Sequence, residues 1–464
     1  MLVLIVMAEI PIDLSFITSL PNLTDQERSV LKIAQSNGDT ILEESDLETK
    51  KVRTFIKKLG LSTFESSSDR FTAVKNKLID SLFARAMPNV EEQSRNELSS
   101  RMMAVMDSSD LSQVFQSAQK LNSFYGTDIY TALTPENQQA TLYILMVLEN
   151  SIHFNNGLTD NKISPTFSDD MAQVEDAIVV GKIKIKKEEV YSGTNAFFLP
   201  DATGETIGTM AIDEDDEDQY TIVHEATHAK QAMSSNHGDK ISDEEEAYLV
   251  EANYQGLKLG FDVALERYSD SNDIKARKNI IGFYEAGIQN ATGHLDSPSG
   301  RATWLYSYLL KEMEKMIPSR DNQYEALTLA KLIHENADVT AIDAQRKILK
   351  ETIDKREKVG LAQEELGLIV DRCFPDSFKS SYISAKIIYG DGTEEKVETE
   401  KLNLDEIFKK IVSDQALLKN ADSSKDYSIP LLFLQGFQTA IENSDINAAK
   451  GIVDQALALI SVSE

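Results

Sequence analysis

Tyr220-Thr-Ile-Val-His-Glu-Ala-Thr-His-Ala-Lys230 carries the pattern HExxH at His224 to His228. On an α-helix, residues four apart lie on one face a turn above each other, so both imidazoles can reach one metal ion. Glu225 stands one step round the helix, beside a metal-bound water rather than on the metal. Zinc lowers the pKa of such a water toward ~7, and a carboxylate in that place can take its proton. Ile222, Val223, Ala226 and Ala229 make the rest of the stretch apolar, which predicts a buried helix. The chain has only six histidines, so chance yields this pattern in roughly 1% of such sequences.

Just before the motif the texture is that of short strands. Ala177 to Lys186 alternates in its second half, and Asn195 to Pro200 and Thr206 to Ile212 are two further strands, joined by a turn at Asp201-Ala-Thr-Gly204. An acidic run, Asp213 to Asp218, then leads into the HExxH helix. It lacks the spaced oxygens and central Gly of a calcium loop. Its reading is solvated charge favoured by the helix dipole, with a rim for cationic substrate residues as the functional version.

After the motif, Ser242-Asp-Glu-Glu-Glu-Ala-Tyr-Leu-Val-Glu-Ala-Asn253 opens a second helix, running to Leu265 and capped by Ser242 or Asp243. Glu244, Glu245, Glu246 and Glu251 compete to be a third metal ligand. Close approach of two helices around a metal favours a small inward residue, and Ala247 fits. Glu244 and Glu251 share the face of Ala247, while Glu245 and Glu246 point away. His237 lies in the loop Ser234-Ser-Asn-His-Gly238 and reads as an exposed histidine.

The flanks are helical. Before the strands, helices are predicted over Leu23 to Gln35, Leu47 to Leu59, Arg70 to Ala86, Val90 to Met106, Leu111 to Phe124 and Pro135 to His153, with caps at Thr24 and Thr134. Beyond the motif they run from Ile274 to Ala286, Trp304 to Met316, Tyr324 to His334, Ala341 to Lys358 and Leu404 to Leu418. A hairpin turns at Gly390-Asp-Gly392. A closing helical hairpin spans Ile429 to Ile460, with its turn near Asn443 to Asp445. The fold class is α+β, mostly α-helical, in three parts: a helical domain over 1–164, a core of small sheet plus HExxH helix over 165–300, and a mainly helical region over 301–464.

Composition narrows the partners. The formal charge is −29 across 464 residues, against the basic face that nucleic acid requires, so nucleic acid is not the expected partner. One cysteine, Cys373, excludes an internal disulfide and a cysteine-based zinc finger. No transmembrane segment is expected. The apolar start, Met1 to Met7, lacks the basic flank of a signal peptide and reads as a first strand or as a start displaced from Met7. A cytoplasmic protein, or one exported without a standard signal, is expected, of unspecified oligomeric state.

With HExxH, the preceding strands and the glutamate-rich helix in place, residues 195–260 resemble the zincin metalloproteases. The metzincin branch would carry a histidine at position 234, which is Ser234 here. The chain is closer to the glutamate-ligand branch, several families of which have a ligand Glu three residues before an Ala, as Glu244 stands before Ala247. The next position there is usually an acid or Asn bonded to a ligand histidine; here it is Tyr248. The resemblance implies zinc held by His224, His228 and Glu244, with Glu251 as the alternative, and Glu225 as general base. It also implies an edge strand lining the cleft, at Thr206 to Ile212 with Asn195 to Leu199 beside it. An oxyanion donor would come from Tyr248, Tyr254, Tyr284, His294, Tyr306 or Tyr308. The implied activity is a metallopeptidase acting on a dedicated protein or peptide substrate, as in bacterial effectors and toxins of this class. The contrasting reading is a non-catalytic acidic helical interaction protein with a degenerate or structural HExxH.

Overall fold

The computed structural model describes residues 12–35, 41–42, 47, 59, 67–105, 110–158, 163–188, 196–201, 203–213, 218–234, 240–268, 272–318, 321–373, 387–388, 394–395, 404–420, 427–443 and 445–461. The chain divides into two compact units, Met1–Lys258 and Leu259–Glu464. The division falls inside the segment 165–300, and the strands and the HExxH helix belong to the first unit together with the helices that precede them.

The first unit begins with β1 (Ile12–Asp13), α1 (Ser15–Ser19), α2 (Asp25–Ala34) and β2 (Ile41–Leu42). Next come α3 (Ser67–Ala86), α4 (Glu92–Val105), α5 (Leu111–Phe124), α6 (Asp128–Thr131), α7 (Pro135–Gly157) and α8 (Phe167–Val179). Then follow β3 (Ile183–Lys187), β4 (Ala196–Pro200), β5 (Gly208–Ile212), α9 (Gln219–Met233) and α10 (Lys240–Leu259). Helix starts obey local chemistry. Thr24 accepts from the Glu27 N–H at 3.1 Å while its own N–H donates to the Glu27 carboxylate at 2.7 Å, a reciprocal capping box. Thr134 caps α7 through the Asn137 N–H, with Pro135 at the first helical position. Helix α7 is the axis of this unit: Ala140 to Leu148 are all buried, and it packs on α8, β3 and α9.

The segment 177–186 is not a strand throughout. Ala177 and Ile178 complete the buried face of α8, with Val174 and Met171 one and two turns back. Only from Ile183 does the chain extend, and there Ile183 and Ile185 are buried while Lys184 and Lys186 are exposed. The sheet order is β3-β5-β4, with β3 parallel and β4 antiparallel to β5. The expected edge strand, Thr206 to Ile212, is therefore the centre of the sheet, and β4 is the edge beside the HExxH helix. Asp201 braces the β4–β5 turn, accepting from Thr203 and Thr206 backbone N–H groups at 2.8 Å each. Gly208 is obligatory in β5, because a Cβ there would meet the Leu199 carbonyl oxygen at 2.4 Å and the Phe198 ring at 2.5 Å.

The long helix expected over 242–265 is two helices. Helix α10 starts at Lys240, so Ser242 and Asp243 lie in its first turn rather than capping it. It ends at Leu259, and Gly260, at φ +87°, turns the chain into α11 (Phe261–Tyr268). The second unit continues with α12 (Asn272–Thr292), α13 (Pro298–Met316), α14 (Asn322–His334) and α15 (Val339–Cys373). The short strands β6 (Ile387–Ile388) and β7 (Glu394–Glu395) pair antiparallel on either side of the expected hairpin turn, which itself lies outside the described residues. Helices α16 (Leu404–Lys419), α17 (Ser428–Glu442) and α18 (Ile446–Ser461) follow, α17 and α18 packing on each other as the expected helical hairpin. The core of this unit gathers Leu305, Leu309, Phe433, Phe437 and Val453. Buried Arg301 ties it together, donating from Nε to the Ala440 carbonyl at 2.7 Å. The apolar start, residues 48–58 of the helix expected over 47–59, and His237 lie outside the described residues. Among the described residues no helix is long and apolar enough to cross a membrane.

Candidate metal centre

Helix α9 is set by its cap and by its apolar faces. Asp218, the last residue of the acidic run, accepts from the Tyr220 N–H at 3.2 Å and from the Thr221 hydroxyl at 3.1 Å. Ile222, Val223, Ala226 and Ala229 are buried, so the helix is held on several sides. Its partner α10 is clamped to it at both ends. At one end Lys258 donates to the Gln219 side chain at 2.8 Å, and the buried Tyr254 hydroxyl joins Gln219 and Asn150. At the other, the Gln231 amide donates to the Asp243 carbonyl at 2.9 Å and to the Glu246 carboxylate at 3.0 Å.

Between the clamps lie His224, His228 and Glu244, close enough together to hold a metal ion, one donor atom from each falling within 4.8 Å of the others. The two Nε2 atoms are 3.1 Å apart, and each faces a different Glu244 oxygen at 3.5 Å. Donors arranged tetrahedrally around an ion at 2.0–2.1 Å stand roughly 3.3 Å apart, so this spacing suits a small metal ion. Glu251, seven residues beyond Glu244 on the same face, points not at the Nε2 pair but at His224 Nδ1, 3.1 Å away. A carboxylate there requires a protonated Nδ1 and leaves Nε2 as a lone-pair donor. Glu251 thus supports the His224 ring from behind rather than joining the Nε2 pair. Tyr248, which follows Ala247, packs its ring edge-on against His224 at 4.4 Å between centroids.

The electrostatics favour a cation. Burial acts to lower the His224 imidazole, yet the Glu244 and Glu251 carboxylates outweigh it and hold it up at about 10. Burial likewise opposes ionisation of Glu244, and the two histidines overcome it, keeping that carboxyl far below the ordinary range. Glu225 is buried beside them. Burial pushes its carboxyl up, against the pull of both histidines and of a hydrogen bond from the Phe198 backbone N–H. That bond places β4, the sheet edge, directly against the carboxylate next to the histidine pair.

Tyr254 is fully buried, with its hydroxyl engaged by Asn150 and Gln219, so it does not face an incoming substrate. Tyr284, His294, Tyr306 and Tyr308 belong to the second unit. Two contributors have no counterpart in the sequence reading: Gln231, whose Oε1 faces His228 Nδ1 at 2.8 Å, and the Phe198 N–H. Gln231 sits three residues after His228 on one helix face, a spacing visible in the sequence; the strand contact is not. No family model, no curated protein and no solved structure matches the chain.

Proposed function

We propose that this chain is a zinc-dependent metallopeptidase of the glutamate-ligand zincin type, hydrolysing peptide bonds in a protein substrate. The observation that carries the reading is the grouping of His224, His228 and Glu244, with the buried Glu225 alongside. Two imidazoles and a carboxylate are a usual protein donor set for catalytic zinc, which keeps one position open. When bound, zinc acidifies water and polarises a carbonyl oxygen.

The chain's own residues divide the remaining tasks. Glu225, buried beside both histidines, would take the proton of the attacking water on a carboxylate oxygen and return it to the leaving amine. Glu251 keeps the His224 ring oriented through Nδ1. β4 offers an extended peptide an edge to pair with beside Glu225, and main-chain pairing of that kind favours a polypeptide over a compact small molecule.

Metal analysis of the purified protein tests the reading. We expect about one zinc per chain, lost in the H224A/H228A double variant. Glu225→Gln should retain zinc and lose peptide cleavage. Wild-type protein that takes up no zinc on reconstitution would sink the proposal and leave the histidine–glutamate cluster as a structural ion-pair network in an acidic interaction protein.

A further inference from the structure

His228 needs its Nε2 lone pair free to serve as a ligand, so the proton of the neutral ring must reside on Nδ1. Nothing in the motif itself dictates that. The Nδ1 atom faces Gln231 Oε1 at 2.8 Å, but an amide can present either an acceptor or a donor, so Gln231 alone does not select a tautomer. Its surroundings do. The Gln231 nitrogen faces two acceptors, the Asp243 carbonyl at 2.9 Å and the Glu246 carboxylate at 3.0 Å, and neither can donate. Both amide hydrogens are thereby used, the oxygen must turn toward His228, and Nδ1 must carry the proton.

Resting on the zinc reading above, we infer that Gln231, oriented by Glu246 and the Asp243 carbonyl, is a positioning residue that fixes the tautomer and ring angle of His228 for metal binding. The two histidines then have unlike supports: His224 leans on a carboxylate, whereas His228 leans on an amide that is itself held by a carboxylate. The same contacts join the end of α9 to the first turn of α10, which carries Glu244. Gln231 therefore ties the second histidine to the helix of the third ligand. Gln231, Asp243 and Glu246 also border a cavity between α8, α9 and α10, so an unbranched apolar replacement has room.

The test is titration of the full-length, metal-free protein with zinc alone against a chromophoric chelator. Gln231→Met keeps the length of the side chain and removes its acceptor and donors; it should bind zinc about 10- to 100-fold more weakly than wild type. Gln231→Glu alone sets three acceptors against one another and should weaken binding comparably. The Q231E/E246Q exchange reverses the bond between the two side chains and still offers His228 an acceptor, so it should recover affinity to within about threefold of wild type. Zinc binding by wild type together with unchanged affinity in both single variants overturns the positioning role and leaves the metal centre standing. So does an exchange variant as weak as Q231E. Absence of zinc from wild type itself removes the metal centre and this inference together. A variant that fails to fold is identified by circular dichroism, and the comparison of Q231E with the exchange then decides.

Discussion

Glu244 and Glu251 lie on one face of α10, and substitution separates their roles. Removing the Glu251 carboxylate leaves all three donors of the metal group in place and strips only the support of His224 Nδ1. Glu251→Ala should therefore weaken zinc binding by about 10- to 100-fold, the range for loss of a group that orients a ligand. Glu244→Ala removes a donor outright and should weaken it further. A chelator-competition titration of both variants checks the order. If E251A proves the more damaging, the two glutamates have exchanged roles and the third ligand is Glu251. The sequence contained most of this. The 3.6-residue period places Glu244, Ala247 and Glu251 on one face, and the histidines four apart on another, because each relation lies within a single helix. It did not contain which of the two carboxylates meets Nε2 and which meets Nδ1. That depends on how far α10 slides along α9, and the clamps at Gln219 and Gln231 fix it through contacts between helices.

At the scale of elements, α5, α7 and α8 are joined by a charge cluster in which the buried Glu175 carboxyl has a measurable signature. Lys120 on α5 bonds Glu149 on α7 and, at 2.6 Å, Glu175 on α8. Burial pushes the Glu175 carboxyl up to about 7, Lys120 opposing and Glu149 adding to the rise. An unfolded Glu titrates near 4.5, so between about 4.5 and 7 the folded chain binds more protons here than the unfolded chain. The contribution of this group to stability thus falls as pH rises through that window. Glu175→Gln removes the titration, and its melting temperature relative to wild type should climb across the same window; a constant offset would refute the assignment. The fold's departures from the sequence reading arise at this scale too. Period-two alternation in β3 marks which face is buried but says nothing about neighbours, and β5 reaches the sheet centre only through a parallel pairing with β3. Ala177 to Val180 is apolar enough for either a strand or the end of a helix, and the buried face begun by Met171 and Val174 decides for the helix.

Across the whole molecule, the metal group lies entirely in the unit Met1–Lys258, while Leu259–Glu464 has a core of its own around Leu309, Phe433 and Phe437. A ligand that binds only the folded state stabilises what its site belongs to, by ~2.7 kcal/mol at a hundredfold excess over Kd. A metal ion held by His224, His228 and Glu244 would bridge α9 and α10, which side-chain hydrogen bonds and ring contacts already link, and its effect on local opening should follow the contacts of α9 to α7, α8 and β4. Peptide-resolved hydrogen exchange with and without zinc reads this directly. Saturating zinc should slow exchange in α9, α10 and β4, with smaller gains in α7 and α8, and leave the second unit unchanged. The H224A/H228A variant should show no gain anywhere, which separates binding at the site from the general attraction of a divalent cation to a chain of net charge −29. Equal protection in both units would mean that they open as one cooperative body, and the division at Lys258 would then carry no energetic meaning.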